Sequence, residues 1–320
     1  MSKVKIPVIA VLGPTASGKT DLAIRLAQCF GGEIVSCDSM QIYEGFDVAT
    51  AKPTPAQLQL VPHHMIGFLP AGRSYSVAEY VKTAQQTISD IDNRGKTVFL
   101  CGGTGLYADA LLSGMTFADS AAQQEKTQEV LHFLQENGLP SLCERLQKAD
   151  SAALEQIDRN NSKRVVRAVV ICESTGCSLA EYKARNCASD SPYQTLRLVL
   201  DVHDRSFLYE RIDRRVDEMS QNGLLEEAKA FYSSHIDGTA AQIIGYKELF
   251  PYFTGEITYG QALDNLKRAT RRYAKRQLTW FKKAPDACHI FIDECDPFAV
   301  ANHICSDFLE RMKQYEQKKA

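Results

Sequence analysis

Gly13-Pro14-Thr15-Ala16-Ser17-Gly18-Lys19-Thr20 decides the fold. It matches G-x-x-x-x-G-K-[ST], a loop whose backbone N–H groups close round a phosphate. Before it runs Ile6-Pro7-Val8-Ile9-Ala10-Val11-Leu12, a continuous apolar stretch suited to a strand buried in a parallel sheet. Pro7 lies at the start of that strand, where proline is tolerated. After the loop comes Asp21-Leu22-Ala23-Ile24-Arg25-Leu26-Ala27, whose apolar residues at 22, 23, 26 and 27 fit one helix face. Strand, glycine loop, helix is the context the motif needs. The helix N-terminus adds the positive end of its dipole. Lys19 supplies a point charge, and Thr20 a hydroxyl for Mg²⁺. The loop predicts a di- or triphosphate ligand and leaves its identity open.

The 320 residues are 44% apolar and 24% charged, with a net charge of −2. Such a chain folds, with room for one large domain or two modest ones. There is no overall basic excess, so a nucleic-acid partner must be met by a local patch. The N-terminal apolar run is short and flows into the phosphate loop, unlike a signal peptide. No stretch has the length of a membrane span. The ten cysteines are scattered and contain no C-x-x-C. They point to a reduced, cytoplasmic setting without a disulfide framework or zinc.

Glu33-Ile34-Val35-Ser36-Cys37 reads as a second strand, leading into Asp38-Ser39-Met40-Gln41-Ile42-Tyr43. Residues just past such a strand face the ligand crevice. Asp38 there either serves Mg²⁺ or a proton, or simply holds a turn; position alone leaves both open. Residues 49–53 and 62–66 read as loops. The adjacent His63 and His64 point different ways and lack a third ligand, so no metal site is expected there. A helix is predicted over 75–92. A third strand, Thr97-Val98-Phe99-Leu100-Cys101, stops at Gly102-Gly103-Thr104-Gly105-Leu106-Tyr107. Many phosphate-loop enzymes place an acid there to help hold Mg²⁺. The glycines instead admit close backbone approach, and Thr104 offers a hydroxyl. The only other apolar run taken to end in an acid is Ile290-Phe291-Ile292-Asp293, late in the chain. The GTPase N-K-x-D is missing.

From 116 to 190 strand patterns vanish, and helices are predicted over 125–135, 139–148, 152–157, 162–174 and 179–184. This suggests a helical insertion at 116–190 into an α/β core formed by 1–115 and 191–320. Lys163, Arg164 and Arg167 cluster on one of these helices; taken alone they read as a solvated face. Strand returns at 196–202. In the helix over 208–219, Arg211 and Arg215 share a face and reach either a phosphate or Asp217 and Glu218. Ile243 to Glu248 form a turn between helices. Between Gln261 and Lys283, eight basic residues stand against one acid, Asp264. Leu263, Leu266, Tyr273, Leu278 and Phe281 give this helix an apolar stripe, and Trp280 lies near its end. A basic helix with aromatic neighbours is the footprint expected for a nucleic-acid backbone. Residues 311–320 read as a polar tail.

Together the phosphate loop, Asp38-Ser39-x-Gln41-x-Tyr43, Ala49-Thr50-Ala51-Lys52-Pro53, Pro62-His63-His64, 102–107, Gly245-Tyr246-Lys247-Glu248 and Lys275-Arg276-Gln277-Leu278-Thr279-Trp280-Phe281 resemble the tRNA dimethylallyltransferases (tRNA isopentenyltransferases) over nearly the full length. The resemblance implies a P-loop NTPase-like α/β core, a parallel sheet flanked by helices, plus the helical insertion. It implies a transferase that moves a dimethylallyl group from dimethylallyl diphosphate to N6 of the adenine just 3′ of the anticodon, adenosine 37 in tRNA nomenclature. Diphosphate leaves, and Mg²⁺ is the cofactor, held in part by Thr20. On this resemblance Lys19, Arg215 and the loop residues Gly13 to Thr20 bind the diphosphate. Asp38 is the base, and Thr104 orients donor or adenine. The tRNA anticodon stem-loop is expected to touch Asp38, Ser39, Met40, Gln41 and Thr104. It is expected to touch Lys163, Arg164, Val165, Val166 and Arg167 in the insertion, and Ile243, Ile244, Gly245, Tyr246, Lys247 and Glu248 in the turn. On the basic helix the expected contacts are Lys275, Arg276, Gln277, Leu278, Thr279, Trp280, Phe281 and Lys282. A monomer with no membrane attachment is expected.

The chain departs from the family pattern in places. Lys163-Arg164 replaces Gln-Arg, Gly67 replaces an Asp, Asn160-Asn161 replaces Asn-Asp, and no arginine lies near 121–126. Two rival readings are a phosphate-loop small-molecule kinase and a non-catalytic tRNA-binding protein with a relic loop. The basic helix and the missing acid after Leu100 count against the first; intact Lys19, Thr20 and Asp38 count against the second.

Overall fold

In the computed structural model, which describes residues 5–115, 121–187, 191–236, 239–284 and 286–317, β1 (Ile6–Leu12) runs into the phosphate loop and α1 (Lys19–Phe30) leaves it. Val8, Ile9, Ala10 and Val11 are fully buried, as a continuous apolar run between two neighbouring strands requires. Next come β2 (Gly32–Ser36), α2 (Pro55–Leu60), β3 (His63–His64), α3 (Val77–Asn93), β4 (Thr97–Gly102) and α4 (Gly105–Leu112). Ser76 starts α3 with a capping box shared with Glu79, which moves the helix start inward from the predicted 75.

The chain divides into two compact units, Met1–Leu112 with Pro192–Ala320, and Ser113–Ser191. The second contains α5 (Ala121–Ala149), α6 (Ala153–Gln156), α7 (Ser162–Thr175) and α8 (Leu179–Cys187). Two helices were expected where α5 stands. The element bends at Gly138, two residues before Pro140, so the break is real although the helix resumes at once. Val130, Leu142, Leu146, Val165 and Val169 form the core of this unit. Arg145 grips Glu173 through two hydrogen bonds of 2.6 Å beside that core. Asn161, the residue that departs from the family pattern at 160–161, caps α7 by accepting the Arg164 N–H. Residues 116–120 and 188–190, on which the edges of the predicted insertion fall, lie outside the described residues.

The first unit resumes with β5 (Tyr193–Asp201), α9 (Arg205–Gln221), α10 (Leu224–Ser234), α11 (Phe250–Phe253), α12 (Tyr259–Phe281), β6 (Ala287–Phe291) and α13 (Pro297–Gln317). Its sheet is parallel throughout, in the order β3-β2-β4-β1-β5-β6. Ile9 and Val11 share a core with Leu22 and Leu26 of α1 and Phe308 of α13. The tail expected over 311–320 is therefore helical as far as Gln317: Leu309 and Met312 keep packing on that core. The histidine pair expected in a loop is an edge strand, with Ile34 opposite His63 and Val35 opposite His64. Buried Glu33 holds it there, accepting from His64 Nε2 at 2.7 Å and from Arg94 at 2.6 Å. Among the described residues no helix is long and apolar enough to cross a membrane.

Because all strands are parallel, the ends of β1, β2 and β4 emerge at one edge of the sheet. They emerge in close contact. The Cys37 N–H donates to Cys101 O at 2.7 Å, and Thr104 N–H to Cys37 O at 3.1 Å. A Cβ on Gly102 would lie 2.0 Å from Cys37 O. Gly102→Ala is expected to lower stability by about 2–3 kcal/mol through overpacking. Urea unfolding measures this, and an unchanged midpoint would mean the two strand ends have room to separate.

Candidate active site

At that edge of the sheet lies a cleft of about 670 Å³. Its walls come from the phosphate loop, the segment after β2, the 49–53 loop, α9, the turn at 242–247 and α12. The phosphate loop is braced from three sides. Lys19 Nζ donates to Pro14 O at 3.0 Å, Arg211 Nε to Ala16 O at 2.8 Å, and the Thr15 N–H to Gln277 Oε1 at 2.9 Å. Ala16 sits at the apex with a φ of +63°. Ser17 Oγ is buried with no hydrogen-bond partner among the described residues.

Electrostatics make this cleft ready for an anion. Burial pushes the Lys19 ammonium pKa down, and Arg215 pushes the same way, against Cys101 and Asp38. Burial likewise lowers the Arg215 pKa, with Asp38, Glu218 and Asp21 opposing it. Two cations thus stand at the loop without full hydration. A diphosphate would supply the countercharge that water does not.

Asp38 holds a turn and also faces the cleft. Its Oδ1 holds a turn by accepting the Met40 N–H at 2.9 Å and the Gln41 N–H at 3.4 Å. Its carboxylate also lines the cleft, and Oδ2 stands outside the turn. Thr104 stands against two residues of the cleft wall, Ser39 and Tyr273. Its Oγ1 accepts the Ser39 N–H at 3.0 Å and donates to Ser39 Oγ at 3.3 Å, so it steadies the Asp38–Ser39 segment. Gln41 Nε2 donates to the carbonyls of Thr50 and Ala51, pinning the 49–53 loop from below. Lys52 binds Tyr43 O and Asp47 Oδ1. A Cβ at position 67 would lie 3.4 Å from the Nζ of this same Lys52. Glu227 of α10 gathers the N–H groups of Asp47, Val48 and Ala49 and the Tyr246 hydroxyl. Nothing in the sequence near Glu227 signalled that role.

Burial corrects several expected RNA contacts. Tyr246 is fully buried and serves Glu227, whereas Ile243, Ile244 and Lys247 line the cleft. Glu248 turns back onto the Gly245 N–H at 2.9 Å, and burial raises its pKa. On α12, Gln277, Leu278 and Phe281 are buried, because the helical period turns them inward. Lys275, Arg276, Thr279, Trp280 and Lys282 remain exposed. In α7, Val165 and Val166 pack into the core of their unit, while Lys163, Arg164 and Arg167 are exposed.

The basic helix is also less unpaired than its own sequence suggests. Lys267 pairs with Asp217 at 2.6 Å and Arg271 with Asp213, both on α9. Arg272, Lys275, Arg276, Lys282 and Lys283 form no ion pair among the described residues. Trp280 is fixed at its edge: Nε1 donates to Asp109 Oδ2 at 2.8 Å, while Asp109 Oδ1 accepts from Arg197 at 3.0 Å. A second hollow of about 610 Å³ opens beside it, lined by Arg197, Lys275, Thr279 and Lys283. Arg276 borders both hollows.

Two strand-end acids are engaged elsewhere. β5 ends in Asp201, an acid the sequence reading passed over. It is buried, accepts the Val202 N–H at 2.8 Å and meets His289 Nδ1 at 3.0 Å. Asp293 accepts the N–H groups of His203 and Asp204. Among the described residues no group of three His, Cys, Asp or Glu side chains could hold a metal ion.

A family model described as IPP transferase matches residues 41–284, and one described as isopentenyl transferase matches 6–66. A tRNA dimethylallyltransferase of Shouchella clausii is 43% identical over 288 residues, which span 90% of this chain and 92% of that protein. The full-length tRNA isopentenylpyrophosphate transferase of Bacillus halodurans superposes with a TM-score of 0.73 at 38% identity, covering 98% of this chain and all of that one. A eukaryotic dimethylallyltransferase acting on tRNA gives a TM-score of 0.84 at 28% identity, covering 96% of this chain and 80% of its own. With a matching model across most of its length and relatives that run beside it from end to end, this chain belongs to the IPP transferase family.

Proposed function

We propose that the protein transfers the dimethylallyl group of dimethylallyl diphosphate to N6 of the adenine just 3′ of the anticodon in tRNA. One observation carries this reading. A single cleft brings the Asp38 carboxylate together with a phosphate loop and two poorly hydrated cations, under a basic helix that has free charges on its outer face.

The chemistry follows from those groups. The bond from the allylic carbon to the diphosphate oxygen breaks, and a carbon–nitrogen bond forms. Negative charge grows on the leaving diphosphate, where Lys19, Arg215 and the loop N–H groups receive it. The exocyclic amine is a weak nucleophile because its lone pair is delocalised into the ring. Its proton must leave as the new bond forms, and Asp38 accepts it. The adenine has to leave its stack to reach the cleft. Lys275, Arg276 and Lys282 on α12, and Lys163, Arg164 and Arg167 on α7, hold the phosphates of the anticodon stem-loop.

Mg²⁺ suits the oxygen donors present. The Thr20 hydroxyl and the Asp38 carboxylate line the cleft, and this ion takes few protein ligands beside substrate phosphates and water. Bound there, it supplies charge that offsets the diphosphate. A small-molecule kinase fits less well, since the acid that ends β5, Asp201, has one oxygen on the Val202 N–H and the other on His289.

Incubation with undermodified tRNA, Mg²⁺ and labelled dimethylallyl diphosphate, followed by nucleoside analysis, tests the proposal. Label is expected in N6-dimethylallyladenosine. Turnover of ATP on a small molecule, with no label in RNA, would replace this reading by the kinase.

A further inference from the structure

We infer that Gln277 is a positioning residue that ties the RNA-bearing helix to the donor cradle. The inference rests on the prenyl-transfer reading above. Gln277 sits on α12 between Arg276 and the exposed Thr279 and Trp280, yet its own side chain is 5% exposed. Its amide points inward and engages two loops at once. Oε1 accepts the Thr15 N–H at 2.9 Å, and Nε2 donates to Gly103 O at 2.9 Å. Those loops leave the adjacent strands β1 and β4. A Cβ on Gly103 would lie 2.3 Å from Nε2, so position 103 has no side chain where the amide reaches the backbone.

A carboxamide carries an acceptor and donors on one rigid plane, so a single side chain can hold an N–H and a carbonyl at fixed spacing. An apolar residue of the same length would leave the buried Gly103 carbonyl and the half-buried Thr15 N–H unmatched. Thr15 N–H is bound by α12, and the carbonyl of the following residue, Ala16 O, is bound by Arg211 of α9. The peptide planes around the loop apex are therefore set from outside the loop. RNA phosphates pressing on Lys275 and Arg276 bear on the same helical turn that holds Thr15. The seating of RNA and the shape of the diphosphate cradle become one mechanical event.

Binding of an unreactive donor analogue, dimethylallyl S-thiolodiphosphate, is measured with and without an anticodon stem-loop. In the wild-type protein the stem-loop is expected to tighten the analogue by about tenfold, within the usual range of coupling between sites. Gln277→Met is expected to weaken the analogue alone by about tenfold, the cost of unmatched buried groups. Its RNA enhancement falls below about twofold, while affinity for the stem-loop alone stays within about threefold. Undiminished analogue affinity and enhancement in Gln277→Met would overturn the inference, as would a wild-type protein without enhancement. Should Gln277→Met melt below the assay temperature, Gln277→Glu decides. It keeps the acceptor for Thr15 but opposes Gly103 O, and must lose at least about half of the enhancement. Wild-type protein that binds the analogue but prenylates no tRNA would sink the function above, while the tie to Thr15 is still judged from analogue binding without RNA.

Discussion

Lys19→Met is expected to lower kcat/KM for dimethylallyl diphosphate by about 10³-fold, the scale for removing a preorganised charge partner, while stability at neutral pH holds or rises. The two halves of this result have one cause. The ammonium is desolvated at the loop, with a hydrogen bond to Pro14 O and no ion pair among the described residues. Desolvation sets its folded pKa below the unfolded value. Folding is then penalised wherever the unfolded state carries the proton: fully below the folded pKa, and less as pH rises through it toward the unfolded one. Methionine removes that penalty along with the charge the substrate needs. Steady-state kinetics and urea unfolding at neutral and alkaline pH read both effects, and any stability gain should shrink in alkali. Unchanged kinetics would remove Lys19 from the diphosphate site.

Asp38→Asn is the second large effect. Asparagine keeps an oxygen where Oδ1 accepts the Met40 and Gln41 N–H groups, so the turn survives. What it loses is the ability to take a proton. Turnover is expected to fall by about 10²–10⁴-fold, the range for a general base, with tRNA affinity within about threefold. Single-turnover prenylation beside a filter-binding titration separates the two. Turnover at the wild-type rate would end the assignment of Asp38 as base. Asp38→Ala is the poorer probe, because it removes the turn as well.

The core around the phosphate loop was legible because its signals are local. An apolar run, a glycine loop and an amphipathic helix within residues 6–30 need no distant partner to be recognised. β3 was not legible: two residues are too few to show alternation, and it exists through β2 and Glu33. The pairing of Lys267 and Arg271 was hidden for a similar reason, since Asp217 and Asp213 lie on another helix. Gln277 was expected to touch RNA, although its position carried a readable clue to an inward side chain. It lies on the stripe of Ala274, Leu278 and Phe281, and a polar residue on a core stripe has to bind something inside. Asp201 was readable too, at the end of the apolar run of β5, but only its partners reveal that it is engaged. The expected RNA contacts failed where a motif was carried over whole, since a contiguous helical stretch cannot present every side chain outward.

Glu227 gives the cleft a foundation on a helix outside its own walls. One carboxylate collects three consecutive backbone N–H groups and a tyrosine hydroxyl, and so suspends the strap at 47–49 from α10. Backbone anchoring of this kind is blind to side chains, so the strap can change its residues without losing its course. Changes of residue along that strap leave its architecture in place, and the position least free to change is Glu227, outside the cleft wall.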